Sequence, residues 1–339
     1  MVYKRTEYHV PLSIVPQNCT TLVRAASSIM CDSFKRMGEE FINQLLSQAQ
    51  LALRDLLLEP CFNAHLRRIT IHKPPPLRLP PAPQKKALLI GLRHPGRKWP
   101  GSTESMELSG SHNDIERWRH ILIICGYLDE DIRILSDRVG VSPDSADYPS
   151  HENILREMRA LTTDSQDDQR RFFVFCGHRK GRLDDGSDSA ILGADIENPI
   201  RDADIEASLL HPLTRLCFLT TVWDCCRVGN MFSIDWRIDE SGLLRPALRR
   251  RKDSQPILGR VLVIGACLRN QKAREVTATS GESYGALSYF LTERLYEHQG
   301  GFALRPFLRD TNSIPDLQSL EQEILATCTE IVHEPWFYP

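Results

Sequence analysis

Arg171-Phe-Phe-Val-Phe-Cys-Gly-His178 and Leu216-Cys-Phe-Leu-Thr-Thr-Val-Trp-Asp-Cys-Cys226 decide how this chain folds. Each is a short apolar run, rich in aromatic and β-branched residues, that ends abruptly in polar, reactive side chains. Runs of that length read as strands buried on both faces. In an open α/β sheet, chemistry collects at the carboxyl ends of parallel strands. One run ends in an imidazole and the other in a thiol. Neighbouring strands lie about 4.8 Å apart, so side chains from two adjacent strand ends can meet over one crevice.

The sequence around these runs supplies the rest of such a sheet. Ala87-Leu-Leu-Ile-Gly-Leu92 reads as a buried strand, and His112 to Cys125 as a helix with Ile115, Trp118, Ile121, Leu122 and Cys125 on one face. Asp131-Ile-Arg-Ile-Leu135 alternates as a second strand. Ser150 and His151 open a helix carrying Ile154, Met158 and Leu161. A helix is expected over Asp202–Leu210, a strand over Arg260–Ala266 and a helix over Ser283–Leu295. Repeated strand–helix alternation predicts a mostly parallel sheet with helices on both faces. Two regions fall outside this pattern. Residues 1–72 carry a helical segment, capped by Ser33 and running to about Leu58, with Phe34, Met37, Phe41, Leu45 and Leu46 at helical spacing. The segment 73–84 holds six prolines within Lys73–Pro83 and reads as an extended, semi-rigid spacer. The polar stretch from Asp235 to Gln255, with Arg249-Arg-Arg-Lys252, reads as an exposed, mobile loop.

The totals exclude several classes. A chain of 339 residues with 41% hydrophobic and 25% charged residues is ordinary globular material. A net charge of −2 offers no case for nucleic-acid binding or a polybasic membrane anchor. No apolar run approaches the ~18–20 residues that span a bilayer. The first residues, Met1-Val-Tyr-Lys-Arg-Thr-Glu, lack the apolar core of a signal peptide, which points to a cytoplasmic or nuclear location. Most of the ten cysteines lie inside apolar runs and read as buried free thiols in a reducing compartment. No glycine-rich phosphate loop follows any strand, so a nucleotide-binding reading has no support.

A thiol attacks as thiolate, and a neighbouring imidazole brings its pKa toward neutrality. Cys226 lies 48 positions after His178, near the spacing of roughly 50 found between the caspase nucleophile and its upstream histidine. Cys225 competes with Cys226, but side chains alternate along a strand and only one of the two can face the crevice. The amides of Cys226 and Arg179 are the candidate donors to a developing oxyanion.

From about Lys85 to Leu295 the chain resembles a metacaspase, a caspase-like cysteine peptidase. Lys86-Ala-Leu-Leu-Ile-Gly-Leu-Arg-His-Pro-Gly96 resembles the family's opening strand and loop. Leu108-Ser-Gly-Ser-His-Asn-Asp114 resembles its Leu-x-Gly-Cys-x-Asn-Asp segment, and Phe173-Val-Phe-Cys-Gly-His178 the segment ending in the catalytic histidine. Trp223-Asp-Cys-Cys226 resembles the Asp-x-Cys that carries the nucleophile, which selects Cys226 over Cys225. Gly265-Ala-Cys-Leu-Arg-Asn-Gln271 and Gly285-Ala-Leu-Ser-Tyr-Phe290 resemble the small-subunit strand and helix.

The resemblance implies a caspase-like, three-layer α/β fold over 85–339, with a mostly parallel six-stranded sheet. It divides into a large-subunit-like part (85–234), an exposed connection (235–257) and a small-subunit-like part (258–339). It also implies an endopeptidase that cuts peptides and proteins after Arg or Lys. No cofactor is expected to be required, and the oligomeric state is left open with a monomer favoured. Asp114 and Asp224 would pair with the basic side chain, and Ser111 and Cys176 would line the same pocket. Self-cleavage is expected at Arg249, Arg250, Arg251 or Lys252. Calcium enters as an activator through Asp184, Asp185 and Asp188; the same residues also read as a solvated turn. The chain departs from the family where Arg179-Lys180 follows the histidine in place of glycine, and where Arg227-Val228 follows Cys226 in place of His-Ser. Cys176 and Ser111 stand where the family has serine and cysteine. A catalytically degraded scaffold that binds peptides or other caspase-like chains is the competing reading.

Overall fold

The computed structural model describes residues 84–181, 189–229, 231–232, 234, 236–238, 244–246, 255–268, 270–298, 301–312, 322, 324–329 and 336–337. All of them fall in the compact unit Pro81–Pro339. The helix expected over Ser33–Leu58 and most of the proline-rich spacer lie outside the described residues.

In chain order the unit opens with β1 (Lys85–Gly91), α1 (Ser111–Ile124), β2 (Ile132–Ser136), α2 (His151–Thr162) and β3 (Arg170–Cys176). A three-stranded side sheet follows, made of β4 (Arg179–Lys180), β5 (Ala190–Ile191) and β6 (Ile200–Arg201). It leads into the short helix α3 (Asp202–Ile205), which widens into a π turn over Glu206–Leu210. Next come β7 (Phe218–Asp224), β8 (Trp236–Ile238), β9 (Leu244–Pro246) and β10 (Arg260–Gly265). The remainder is β11 (Glu275–Thr277), β12 (Ser283–Gly285), α4 (Ala286–Glu297), β13 (Phe302–Ala303), α5 (Leu304–Asn312), β14 (Leu325–Cys328) and β15 (Trp336–Phe337).

The main sheet has the order β2-β1-β3-β7-β10-β14-β8-β9. The pairs from β2 through β10 are parallel, and those from β10 through β9 are antiparallel. Alternation along each strand feeds two cores. Leu89, Phe172, Val174, Val222 and Ile264 face a layer built by α1, α4 and α5, through Trp118, Leu287, Leu291 and Phe307. Leu88, Ile90, Phe173, Phe175, Trp223 and Val263 face the opposite layer, built by α2, α3 and the π turn, through Ile154, Met158, Ile205 and Leu209. Ser150 caps α2 by accepting from the Asn153 amide.

Three expectations need correction. The sheet has eight strands rather than six, because β8 and β9 extend it within the stretch read as an exposed connection. Ile238 anchors that extension, and it is buried in the first core although its neighbours are polar. The helix expected from Ser283 starts at Ala286. Ser283–Gly285 instead pairs antiparallel with β11, and the Gly285 amide is held by the Asp114 carboxylate. The helix expected over Asp202–Leu210 is α-helical only to Ile205 and continues as the π turn.

Gly285 is where the fold meets the site, because a Cβ there would overlap the Asp224 carboxylate. Gly285→Ala is expected to lower the denaturant midpoint with an unchanged slope, by about 1–3 kcal/mol of overpacking. An unchanged midpoint would show that the close approach is not required.

Candidate active site

The register of β3 against β7 places the two reactive residues. Cys176 stands opposite Asp224, and the Gly177 amide donates to the Asp224 carbonyl at 3.4 Å. Two residues beyond the end of each strand come His178 and Cys226, both at the carboxyl edge of the sheet. Alternation then sorts the two cysteines. Cys225 is buried in the second core beside Trp223 and Val228, and burial pushes its thiol well above the ordinary value. Cys226 is half-buried and free.

Nε2 of His178 lies 2.6 Å from the Met106 carbonyl oxygen. A carbonyl only accepts, so Nε2 carries the proton and Nδ1 keeps its lone pair. Burial lowers the affinity of this imidazole for a second proton, against a smaller opposite effect of the Met106 carbonyl. Trp99 packs against the ring at a centroid distance of 4.9 Å, and His94 stacks on it at 5.3 Å.

Asp114, on the first turn of α1, and Asp224, at the end of β7, meet beneath this edge. Their carboxylate oxygens and the Cys176 sulfur lie within 4.8 Å of one another, and all three residues are buried. The Gly285 amide donates to both oxygens of Asp114 at 3.0 Å, and the Ser288 amide donates to Asp224 at 2.7 Å. Burial, then the charge of Asp224, holds the Asp114 carboxyl well above the usual range. Asp224 is pushed up to about 6, chiefly by burial. Two desolvated carboxyls at this separation resist ionising together, and an adjacent cation would let both ionise. Ser111 is buried on the same turn of α1. A buried thiol within the set does not suit a hard cation such as calcium. The calcium candidates Asp184, Asp185 and Asp188 lie outside the described residues, as do Arg249, Arg250, Arg251 and Lys252.

Arg179 does not fill the acidic pocket. Its guanidinium is buried on the other side of the strand end, with Nη2 2.6 Å from Asp202 Oδ2 and Nη1 donating to the Arg227 carbonyl. The cation expected to crowd the cleft is therefore neutralised by a residue at the start of α3. Leu192 N donates to His178 O at 3.0 Å, which makes Arg179 and Ile191 a non-hydrogen-bonded pair. The Arg179 amide thus points away from β5. Arg227 takes a left-handed φ of 60°, and its amide donates to Cys267 Sγ at 3.1 Å.

Several contributors carry no sequence signal of their own. Met106 acts through its carbonyl, which any residue would supply. Ser288 joins three parts of the site, accepting from Trp118 Nε1 at 3.1 Å, lying 3.6 Å from Cys176 Sγ and donating its amide to Asp224. Its position was visible inside the Gly285–Phe290 segment, but its contacts were not.

A half-buried imidazole and a half-buried thiol that follow adjacent strand ends, with a buried acidic pair at the same edge, suit a caspase-like domain. Residues 85–235 match the family described as metacaspase, peptidase C14 domain. The chain is 28% identical over 287 residues to metacaspase-3 of Trypanosoma brucei brucei, covering 78% of this chain and 76% of that protein. It is 30% identical over 209 residues to metacaspase-2 of the same organism, covering 58% of each. Against metacaspase-1 of Schizosaccharomyces pombe it is 28% identical over 221 residues, covering 61% of this chain and 49% of that one. The matches thus span from about half to three-quarters of these relatives' lengths. Among solved structures, protein GSU0716 from Geobacter sulfurreducens superposes with a TM-score of 0.50 at 16% identity, covering 74% of this chain and 95% of that one, which is a likeness of fold alone. Residues 85–235 thus resemble the metacaspase branch of the caspase-like cysteine peptidases, as do the relatives matched over a longer stretch. No helix among the described residues is long and apolar enough to cross a membrane.

The raised Asp224 acid has a consequence for stability. The native state holds this proton more tightly than the unfolded chain does, so its contribution favours folding less as pH rises from the ordinary carboxyl value through about 6. Asp224→Asn is expected to raise the melting temperature at pH 8 by roughly 5 °C and to change it little at pH 4. A lower melting temperature at both pH values would contradict this reading of the pocket.

Proposed function

We propose that this domain is an endopeptidase that cuts peptide and protein chains after Arg or Lys, with Cys226 as nucleophile and His178 as its base. What supports this most is the parallel pairing of β3 with β7, in register up to Cys176 opposite Asp224, which brings the strand ends that precede His178 and Cys226 to one edge together with the Asp114–Asp224 pair. Nδ1 of His178 accepts the Cys226 thiol proton, and the thiolate attacks the scissile carbonyl. The amides of Cys226 and Arg179 donate to the oxyanion of the tetrahedral intermediate. His178 then returns its proton to the leaving amine, and water hydrolyses the thioester with His178 again acting as base. A guanidinium supplies the charge that the Asp114–Asp224 pair lacks and can bond both carboxylates, whereas an acidic side chain would be repelled.

The competing scaffold reading rested on the cations that follow His178 and Cys226. The pairing of Arg179 with Asp202 speaks against the stronger of those objections, because that cation is paired away from the acidic pair.

Cys226→Ala is expected to abolish hydrolysis of an Arg-ending fluorogenic peptide, while Cys225→Ala keeps most of it. His178→Ala should lose on the order of 10²–10⁴-fold in kcat/KM. The reverse ranking of the two cysteines, or a preference of the unmodified protein for Asp-ending peptides, would overturn the proposal.

A further inference from the structure

His94 is an expensive residue that the chemistry above does not use. It follows β1 in a left-handed backbone conformation, with φ of 52°, a region uncommon for non-glycine residues that Asp164 and Asp168 of this chain also occupy. Its side chain is only 1% exposed, and neither ring nitrogen has a hydrogen-bond partner among the described residues. The backbone, by contrast, is firmly held. Asp137 accepts from the Arg93 amide at 2.9 Å and the His94 amide at 2.7 Å, and its Oδ1 lies 2.7 Å from His112 Nε2. The one specific thing the imidazole does is lie against His178, with ring centroids 5.3 Å apart and planes 25° from parallel. Trp99 contacts the same ring at 4.9 Å with a plane angle of 57°.

We propose that His94 is a positioning residue for His178: its ring face, together with Trp99 and the Met106 carbonyl, fixes the His178 plane so that Nδ1 stays on Cys226 and the imidazolium formed there is stabilised. The inference rests on the Cys226–His178 reading and deepens it. Met106 fixes one ring nitrogen, but a single hydrogen bond leaves the ring free to swing about that bond, and a flat face stops the swing. When His178 takes the thiol proton, the π face of a neutral neighbour is favourable to the charge. His94 has to be neutral for this. Burial, then the nearby His178 and, less strongly, Arg97, hold its pKa down to about 4, against the opposing charge of Asp137. Tyr148 is the remaining titratable group on the cavity that His94 lines. His94 therefore stays uncharged throughout the range in which Cys226 and His178 exchange a proton.

The test uses the full chain with His94→Ala, His94→Phe and His178→Ala. The alkylation rate of Cys226 by iodoacetamide is followed against pH by peptide mass spectrometry, beside kcat and KM for an Arg-ending peptide. His94→Ala is expected to move the alkylation midpoint to higher pH and to lower kcat on the order of 10- to 100-fold, the scale of a misplaced catalytic group, with KM little changed. His94→Phe keeps a flat face and should restore both. If His94→Ala does not fold, His94→Phe decides, since a folded Phe variant with the midpoint of His178→Ala overturns the proposal. So does a folded His94→Ala with the unmodified midpoint and kcat, provided His178→Ala shifts them. If His178→Ala leaves Cys226 alkylation unchanged, the Cys226–His178 reading itself fails, and this inference fails with it.

Discussion

The parallel pairing of β3 with β7 is the constraint on which the rest depends. Its register, with Cys176 opposite Asp224, fixes at once which residues reach the sheet edge and which stay inside. A slip of one residue would exchange Cys226 for Cys225 and turn Asp224 into the second core, since the side-chain period of a strand is two. The aromatic contacts across this pair oppose such a slip. Phe173 and Phe175 lie 4.8 and 5.8 Å from Trp223, all three in the same core. The bulk that makes these strands readable as buried therefore also holds their carboxyl ends in register.

A second constraint comes from charge. Asp114 and Asp224 are carboxyl groups buried away from water, and both are driven upward mainly by that burial. The backbone answers with donors: the Gly285 and Ser288 amides at the junction of β12 and α4 each reach one carboxylate. That junction cannot carry a side chain at Gly285, and it cannot continue the helix backward without losing the amide that Asp114 holds. The pocket thus shapes the small-subunit half of the fold as much as it is shaped by it. Arg179 shows the same economy on the opposite side. A buried guanidinium would be costly alone, and Asp202 together with the Arg227 carbonyl makes its burial tolerable while directing it away from the pocket.

Much of this was legible in the sequence because the decisive strands are long and apolar on both faces. β1, β3, β7 and β10, and the helices carrying Trp118 and Met158, follow directly from periodicity. The two strand-end residues followed from where the apolar runs stop, whereas the acidic pair came from motif resemblance alone. What stayed hidden has physical reasons. β8 and β9 are only three residues long, each with an arginine at its centre, so no period could mark them. The Ser283–Gly285 strand merges with the helical spacing that follows it. The direction of Arg179 depends on Asp202, whose proximity arises only through the side sheet. The Met106 carbonyl and the unpartnered His94 ring are invisible in a one-dimensional pattern, because one is backbone and the other is defined by what it fails to bond.

The central claim is that one thiol, Cys226, sits beside a pocket made for a cation. The most direct measurement is labelling of the intact protein with a peptidyl chloromethyl ketone that ends in Arg, followed by peptide mass spectrometry of every cysteine. The account predicts a single adduct on Cys226, suppressed by an excess of an Arg-ending competitor peptide and absent with the matching Asp-ending ketone. An adduct on Cys225 or Cys267, or equal labelling by the Asp-ending reagent, would contradict it.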